Sequence, residues 1–383
     1  MKPVSRPADA SPNSDPPRAA DEFRSVAGYR DLLAGRIQLL VRFQSVLALV
    51  IVFVAGVIVS PRVNGDLVFL KPQNLGNIIQ SISEYGILAV GMTFVIISGG
   101  IDLSVGRVLG MSTVVVASFL MNAHWGVIPA VLGTLAVGTI FGLLEGLASV
   151  RLRIQSFIVT LAGMWVAYGV GLGLLPNGQF IGITFQGPGH APASFQQLAD
   201  VLFAKTVPVS AIIFVAVGLV GVVVLNTTRF GRHVYAIGGN ERAARLSGIP
   251  VARVRIIVFG ISGLLAGLAG IVDAGQYNFG NPAQGQGFEL YAIAAVVIGG
   301  TSLFGGSGSM IGTLAGALLL GTINNILLLK NVNSNTQMVV TGVIVVLAAA
   351  LQTVVGQLKR SSRKKSISGS STVAPALFSG KDA

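Results

Sequence analysis

Apolar residues in this chain come in long unbroken runs. They show neither the strict alternation of a half-buried strand nor the narrow stripe of a soluble amphipathic helix. A helix needs ~20 mostly apolar residues to cross the hydrocarbon of a bilayer. On that measure the runs predict spans near 43–60, 74–98, 106–122, 127–149, 156–176, 206–226, 254–275, 287–300, 309–329 and 336–357. The eighth is short and the second begins with polar residues. The fold class expected is an all-α integral membrane protein of about ten transmembrane helices, since lipid admits only elements that satisfy their own backbone. Residues 1–42 are polar and rich in Pro, Ser, Ala, Asp and Arg, the composition of a disordered tail. Residues 358–383 form a second tail, basic and rich in Ser.

Composition sharpens this picture mainly by exclusion. Of 383 residues 52% are hydrophobic and 10% charged, against about 25% charged in soluble domains, so a soluble enzyme is excluded. The 50 glycines suit membrane helices whose backbones approach closely. With no cysteine there is no disulfide, thiolate metal site or thiol nucleophile. His124, His190 and His233 lie far apart without metal-ligand spacing. No catalytic residue and no metal site is expected. The net charge of +12 would point to nucleic acid only if the basic residues gathered on one folded face. Here they sit in tails and short loops, so the expected contact is membrane lipid and not nucleic acid.

Lys and Arg also set direction. Ten spans place 22 of the 26 on one side and leave Arg62, Lys71, Lys205 and Lys330 on the other. Both termini are therefore expected in the cytoplasm. The 177–205 loop, external in this scheme, carries Asn, Gln, Pro and His with little charge and suits a docking surface. The 227–253 loop is cytoplasmic and holds a compact helical segment: Asn240, Glu241, Arg242, Ala243, Ala244, Arg245, Leu246, Ser247 and Gly248, followed by Ile249 and Pro250. Asn240 can cap it, Gly248 can end it and Pro250 prevents simple continuation. Arg242, Arg245 and Leu246 are expected on its exposed side; a solvated basic linker is the plainer reading.

Ionisable groups inside spans are costly and mark function by default. Five acids qualify: Glu84, Asp102, Glu145, Asp273 and Glu289. Asp102 lies with Ser104 in Ser98-Gly99-Gly100-Ile101-Asp102-Leu103-Ser104-Val105-Gly106, a break between the second and third spans. Its first expected role is to cap the first turn of the third span; gating or contact with a partner subunit is the alternative. A second glycine-rich break covers 299–308, and such a pair points to a transport pathway. Glu84 and Glu145 can face a watery cavity, pair with Arg107 or Arg151, or sit protonated. Candidate pathway residues are thus Glu84, Asp102, Ser104, Glu145, Asn324 and Gln337; for the amides, with Asn325, gluing helix to helix is the plainer role. No G-x-x-x-x-G-K-[ST] loop exists, so this chain is not expected to bind nucleotide.

Four stretches are distinctive. They are AVGMTFVI at 89–96 running into GGIDLSVG at 99–106, SFIVTLAGM at 156–164, RFGRHVYAIGGNERAARLSGIPVARVR at 229–255, and YAIAAVVIGGTSLFGGSGSMIGTLAGALLLGTINN at 291–325. In these the chain resembles the permease subunits of bacterial ABC importers for monosaccharides, the ribose, xylose and galactose permease family. The resemblance covers roughly 74–355 and implies the ribose-permease kind of fold in the bacterial inner membrane. It implies translocation of a pentose or hexose without covalent chemistry by this chain, with ATP and Mg held on a partner. The implied partners are a second permease subunit, identical or paralogous, two cytoplasmic ATP-binding subunits and a periplasmic sugar-binding protein. The 240–248 helix would dock into a groove on the ATPase. Departures from the family are Glu145 before Gly146 where Asn is usual, Ser156 where Pro is usual, Arg107 after GGIDLSVG, Glu84, and both tails. The competing class is a proton- or ion-coupled secondary transporter using Glu84, Asp102, Glu145 and Asp273 as a relay, with a channel behind it.

Overall fold

The computed structural model describes residues 44–187, 189–202, 206–347 and 350. Both expected tails and the end of the tenth run lie outside these. In chain order the helices are α1 (Gln44–Val59), α2 (Pro72–Ile97), α3 (Val105–Met121), α4 (Val127–Leu152), α5 (Ser156–Gly173) and the single turn α6 (Ala193–Gln196). There follow α7 (Val209–Thr227), α8 (Arg229–Gly239), α9 (Glu241–Leu246), α10 (Val251–Tyr277), α11 (Phe288–Ile298), α12 (Met310–Leu329) and α13 (Ser334–Leu347).

Among the described residues six helices are long and apolar enough to cross a membrane: α2, α4, α5, α7, α10 and α12. Four shorter apolar helices, α1, α3, α11 and α13, occupy the remaining predicted runs. Helix α11 has 11 residues, a rise of ~16 Å, about half the hydrocarbon thickness. It is a half-helix bounded by Gly287 and Gly299 rather than a full crossing.

Apolar text alone does not distinguish a helix facing lipid from one facing protein, and here the two kinds separate. Helices α2, α3 and α10 are buried along most of their length, while α4, α5 and α7 are largely exposed. On α4 the exposed side chains include Ile128, Leu132, Ile140 and Leu144, as a lipid-facing stripe requires. The opposite face of α4 repeats Gly138, Gly142 and Gly146 at four-residue spacing and meets Gly263 and Gly267 of α10. A Cβ on Gly138 would come within 2.5 Å of the Gly263 carbonyl oxygen. In lipid, where the hydrophobic effect does not drive helices together, such close backbone approach supplies the van der Waals contact that does.

Among the described residues three two-stranded ribbons trim the bundle. β1 (Arg62–Val63) pairs with β2 (Asp66–Leu67) across Asn64-Gly65, both at positive φ, the geometry of a tight hairpin turn. β3 (Ile181–Gly182) pairs with β6 (Phe279–Gly280), and β4 (Val201–Leu202) with β5 (Val207–Pro208). The β3–β6 pair ties the 177–205 segment to the end of α10. Ile181, Ile183, Ala191 and Phe195 of that segment are buried with Val114, Ala117 and Ile271 in a second apolar cluster. The described part of the expected loop is a cap packed on α3 and α10.

Candidate functional site

The 227–253 segment holds two helices where the sequence pointed to one. Thr228 begins α8 by accepting the Gly231 N–H at 3.1 Å. Val234 and Ile237 of α8 are buried in the main core. Asn240 ends α8 and starts α9, its Oδ1 accepting the Ala243 N–H at 3.0 Å. Glu241 sits between two guanidiniums, 2.9 Å from Arg245 and 2.8 Å from Arg255. Burial pushes the Glu241 carboxyl up, but the Arg255 charge and the hydrogen bonds from Arg245 and Arg255 outweigh it and hold it below the usual carboxylate value. At the other end the Gly248 N–H donates to Arg245 O and the Ile249 N–H to Ala244 O, each at 3.1 Å. With Gly248 at φ +79° this closes the last carbonyls in a Schellman motif. Arg242, Ala243, Arg245, Leu246, Ser247 and Gly248 are exposed, whereas Ala244 faces this chain's own core.

The two glycine breaks, some 200 residues apart in sequence, come together at this element. The Gly306 N–H donates to Ile97 O at 2.9 Å. Gly238, at the end of α8, lies against Ile97 O and Gly306 N so closely that a Cβ there would sit 2.5 Å from that nitrogen. Gly305 likewise abuts Gly99, and Gly306 abuts Gly239. Tyr235 on α8 donates its hydroxyl to Gly308 O at 2.9 Å. The end of α2, the 299–308 turn and the α8–α9 element are thus in backbone contact. Beside them a cavity of about 710 Å³ opens, with Gly99, Gly100, Arg153, Ser156, Glu241 and Arg255 on its wall.

The intramembrane acids fall into separate groups. Asp102 Oδ1 accepts the Ser104 N–H at 3.0 Å and the Ser104 hydroxyl at 2.7 Å, and Oδ2 accepts the Ser262 hydroxyl of α10 at 2.7 Å. The expected cap on α3 is therefore not made: Ser104 is the N-cap and the first turn receives no side-chain bond. Both carboxyl oxygens are engaged, Oδ1 by Ser104 and Oδ2 by Ser262. The Ser104 hydroxyl also lies 2.9 Å from Glu145 Oε2 on α4, which places it between the two carboxyls. Gly163 of α5 leaves the space that Glu145 Oε1 fills. Glu84 of α2 and Asp273 of α10 are both buried and lie beside each other in the core.

The pairings of Glu84 or Glu145 with Arg107 or Arg151 are not formed. Arg107 lies over the Tyr168 ring, 4.4 Å from its centre, with its charge near Glu289. Asn324 accepts the Thr341 hydroxyl at 3.3 Å, a link from α12 to α13. Gln337 donates to Val332 O at 2.7 Å, within its own turn. Asn325 exchanges two amide hydrogen bonds with Asn74, at 2.9 and 3.0 Å. Sequence reasoning missed Ser262, Thr160 and Tyr235. Thr160 and Ser156, in the first turns of α5, hold the 99–104 break by accepting the N–H groups of Leu103 and Ile101 at 3.1 and 3.2 Å. Nothing local marks these hydroxyls, because their partners lie 55 residues or more away.

Residues 74–349 match the family described as the branched-chain amino acid transport system / permease component. The ribose import permease protein RbsC of Escherichia coli K12 is 40% identical over 305 residues, covering 80% of this chain and 91% of the relative. RbsC of Bacillus subtilis 168 is 40% identical over 283 residues, 74% of this chain and 85% of the relative. The xylose transport system permease protein XylH of Escherichia coli K12 is 32% identical over 374 residues, 84% of this chain and 93% of the relative. No solved structure matches the chain. With its apolar helices and a match over most of its length, the chain belongs to this family of transport-system permease components, as a multi-pass protein of the inner membrane.

Proposed function

We propose that this chain is the permease subunit of an ATP-binding-cassette importer that carries a monosaccharide, a pentose or a hexose, into the bacterial cell. The observation that carries the reading is the backbone contact of α8–α9 with the end of α2 and the 299–308 turn, while Arg242, Arg245 and Leu246 face outward. A push on α9 reaches two membrane segments through packed backbone with no flexible tether between. The ribose and xylose permeases among its relatives support a sugar as cargo.

In this reading the basic end of the bundle faces the cytoplasm. Two ATPase subunits bind ATP and Mg there, and α9 from Asn240 to Gly248 docks into them. A second copy of this chain or a paralogue completes the pathway, and a periplasmic sugar-binding protein lands on the packed 177–205 cap. This chain does no covalent chemistry. Asp102, Ser104 and Glu145 brace the 99–104 break against α4 and α10, and Glu84 packs beside Asp273 between α2 and α10. Asn324 and Gln337 hold the α12–α13 end. Engaged with neighbouring segments of the bundle, these groups serve as struts and not as an ion relay.

Uptake in proteoliposomes separates the readings. With cognate binding protein and ATPase subunits present, radiolabelled pentose or hexose should accumulate only with ATP, and collapse of the proton gradient should leave the rate unchanged. Accumulation driven by a pH step without ATP would overturn the importer in favour of a proton-coupled transporter. The chain has no native cysteine, so single cysteines at Ser247 and Ser194 also test direction. An impermeant reagent should reach the first only from inside and the second only from outside.

A further inference from the structure

We propose that the turn carrying Phe304 is a second docking point for the ATPase subunit that receives α9, with Phe304 and Leu246 as its two apolar anchors; this rests on the importer reading above. Apolar side chains exposed on the spans are accounted for by lipid and the second permease subunit. Phe304 is not: it is 90% exposed in Ser302-Leu303-Phe304-Gly305-Gly306-Ser307, a polar turn between α11 and α12. Leu246 is 83% exposed among Arg242, Arg245 and Ser247. Large aromatic and aliphatic side chains in such settings mark the anchors of protein interfaces.

The turn is braced from within. The Ser302 N–H donates to Ser307 O at 2.9 Å, the Gly305 N–H to Ser302 O at 3.0 Å, and the Phe304 N–H to Ser302 Oγ at 3.3 Å. An anchor presented on an ordered turn loses little conformational freedom when it is covered. The turn is also continuous with α9. Gly305 and Gly306 rest on Gly238 and Gly239, and Asn240 begins the α9 cap at the next residue. Phe304 and Leu246 are therefore projections of one backbone-packed unit. Six arginines between 229 and 255 face only one acid, Glu241, in the same segment. The complementary partner surface is an apolar recess with an acidic rim.

The test uses the full chain co-expressed with its ATPase subunit and purified as the complex. Phe304→Cys introduces the only thiol of the permease, and after alkylation with a maleimide carrying a benzophenone it should photocrosslink to the ATPase subunit. Phe304→Asp should reduce the retained ATPase subunit, or its substrate-stimulated hydrolysis, at least tenfold at unchanged membrane level. Phe304→Leu should restore both to within twofold. If Phe304→Asp stays within twofold of wild type while Leu246→Asp loses binding, this inference fails and the importer reading stands. If both variants stay within twofold, the docking role of α9 falls with it. If wild type retains no ATPase subunit, the importer reading itself is overturned and this proposal with it. Should the thiol of the Phe304→Cys variant crosslink to a second permease, or be labelled only by a lipid-phase reagent, the turn belongs to a permease interface or to the membrane, and the proposal is likewise overturned.

Discussion

Gly238 and Gly239 are neighbours in sequence and should respond oppositely to the same substitution. A Cβ on Gly238 would run into the Ile97 carbonyl oxygen and sit 2.5 Å from the Gly306 nitrogen, both backbone atoms that no rotamer change can move. Those two atoms make the 2.9 Å hydrogen bond that joins the end of α2 to the 299–308 turn. Forcing a methyl group between packed backbones costs about 1–3 kcal/mol, and losing the bond adds about 0.5–1.5 kcal/mol. Against this, Ala in place of a helical Gly returns about 0.5–1 kcal/mol. The net is a destabilisation of about 0.5–4 kcal/mol, a roughly 2- to 900-fold fall in the population that keeps α8 seated on α2. A Cβ on Gly239 meets nothing within 4 Å, and Gly239 is exposed. Gly239→Ala should therefore be neutral or slightly stabilising. The assay is thermal unfolding of both variants in the same detergent, with ATP-driven uptake in proteoliposomes as the functional readout. Gly238→Ala should unfold at lower temperature and lose uptake, and Gly239→Ala should do neither. Equal behaviour of the two variants would refute the glycine contact as the route by which α9 moves the membrane helices.

Replacing Gly248 by Arg leaves the fold nearly intact, since nothing lies within 4 Å, and places a side chain at φ +79°, a strain of about 1–2 kcal/mol confined to the end of α9. Membrane levels should be normal and uptake abolished; uptake within a factor of two of wild type would make α9 a mere linker. Gly163→Ala pushes a methyl group into Glu145 Oε1 and should cost about 1–3 kcal/mol by thermal unfolding. The double variant with Glu145→Ala should recover part of that loss through the coupling expected of touching residues, and strict additivity would sink the contact. Glu241 supplies the pH dependence. Its carboxyl is held below its ordinary value of 4.5, so its contribution to α9 is fully present above that value and is lost as pH falls through the folded-state value. The gap in unfolding temperature between wild type and Glu241→Gln should be constant from pH 7 to about 5 and close in stronger acid; a gap that widens in acid would reverse the sign.

The apolar runs were legible because the bilayer demands a stretch of fixed length, and every predicted run contains a helix. Asn240 and Gly248 were legible for a different reason: a cap is settled by residues within one turn of each other. Helix α8 was not, because RFGRHVYAIGG carries three glycines and little intrinsic helix preference. What holds it is tertiary: Val234 and Ile237 enter the core and Tyr235 reaches Gly308. The role expected for Asp102 failed because both its oxygens are engaged elsewhere, Oδ1 by Ser104 two residues on and Oδ2 by Ser262, 160 residues away.

Local chemistry and the solvent settle which segments enter the membrane, where α9 starts and stops, and which residues are too costly there to be idle. Hydropathy has no term for what an apolar surface faces, so it could not say that α2, α3 and α10 are wrapped by this chain while α4, α5 and α7 leave broad apolar faces exposed. Nor could it say that two glycine-rich breaks close on each other through Gly238. The breaks could be paired on the page, but their meeting depends on helices packing closely enough that only hydrogen fits between their backbones. That condition belongs to the assembled bundle and to no single segment of it.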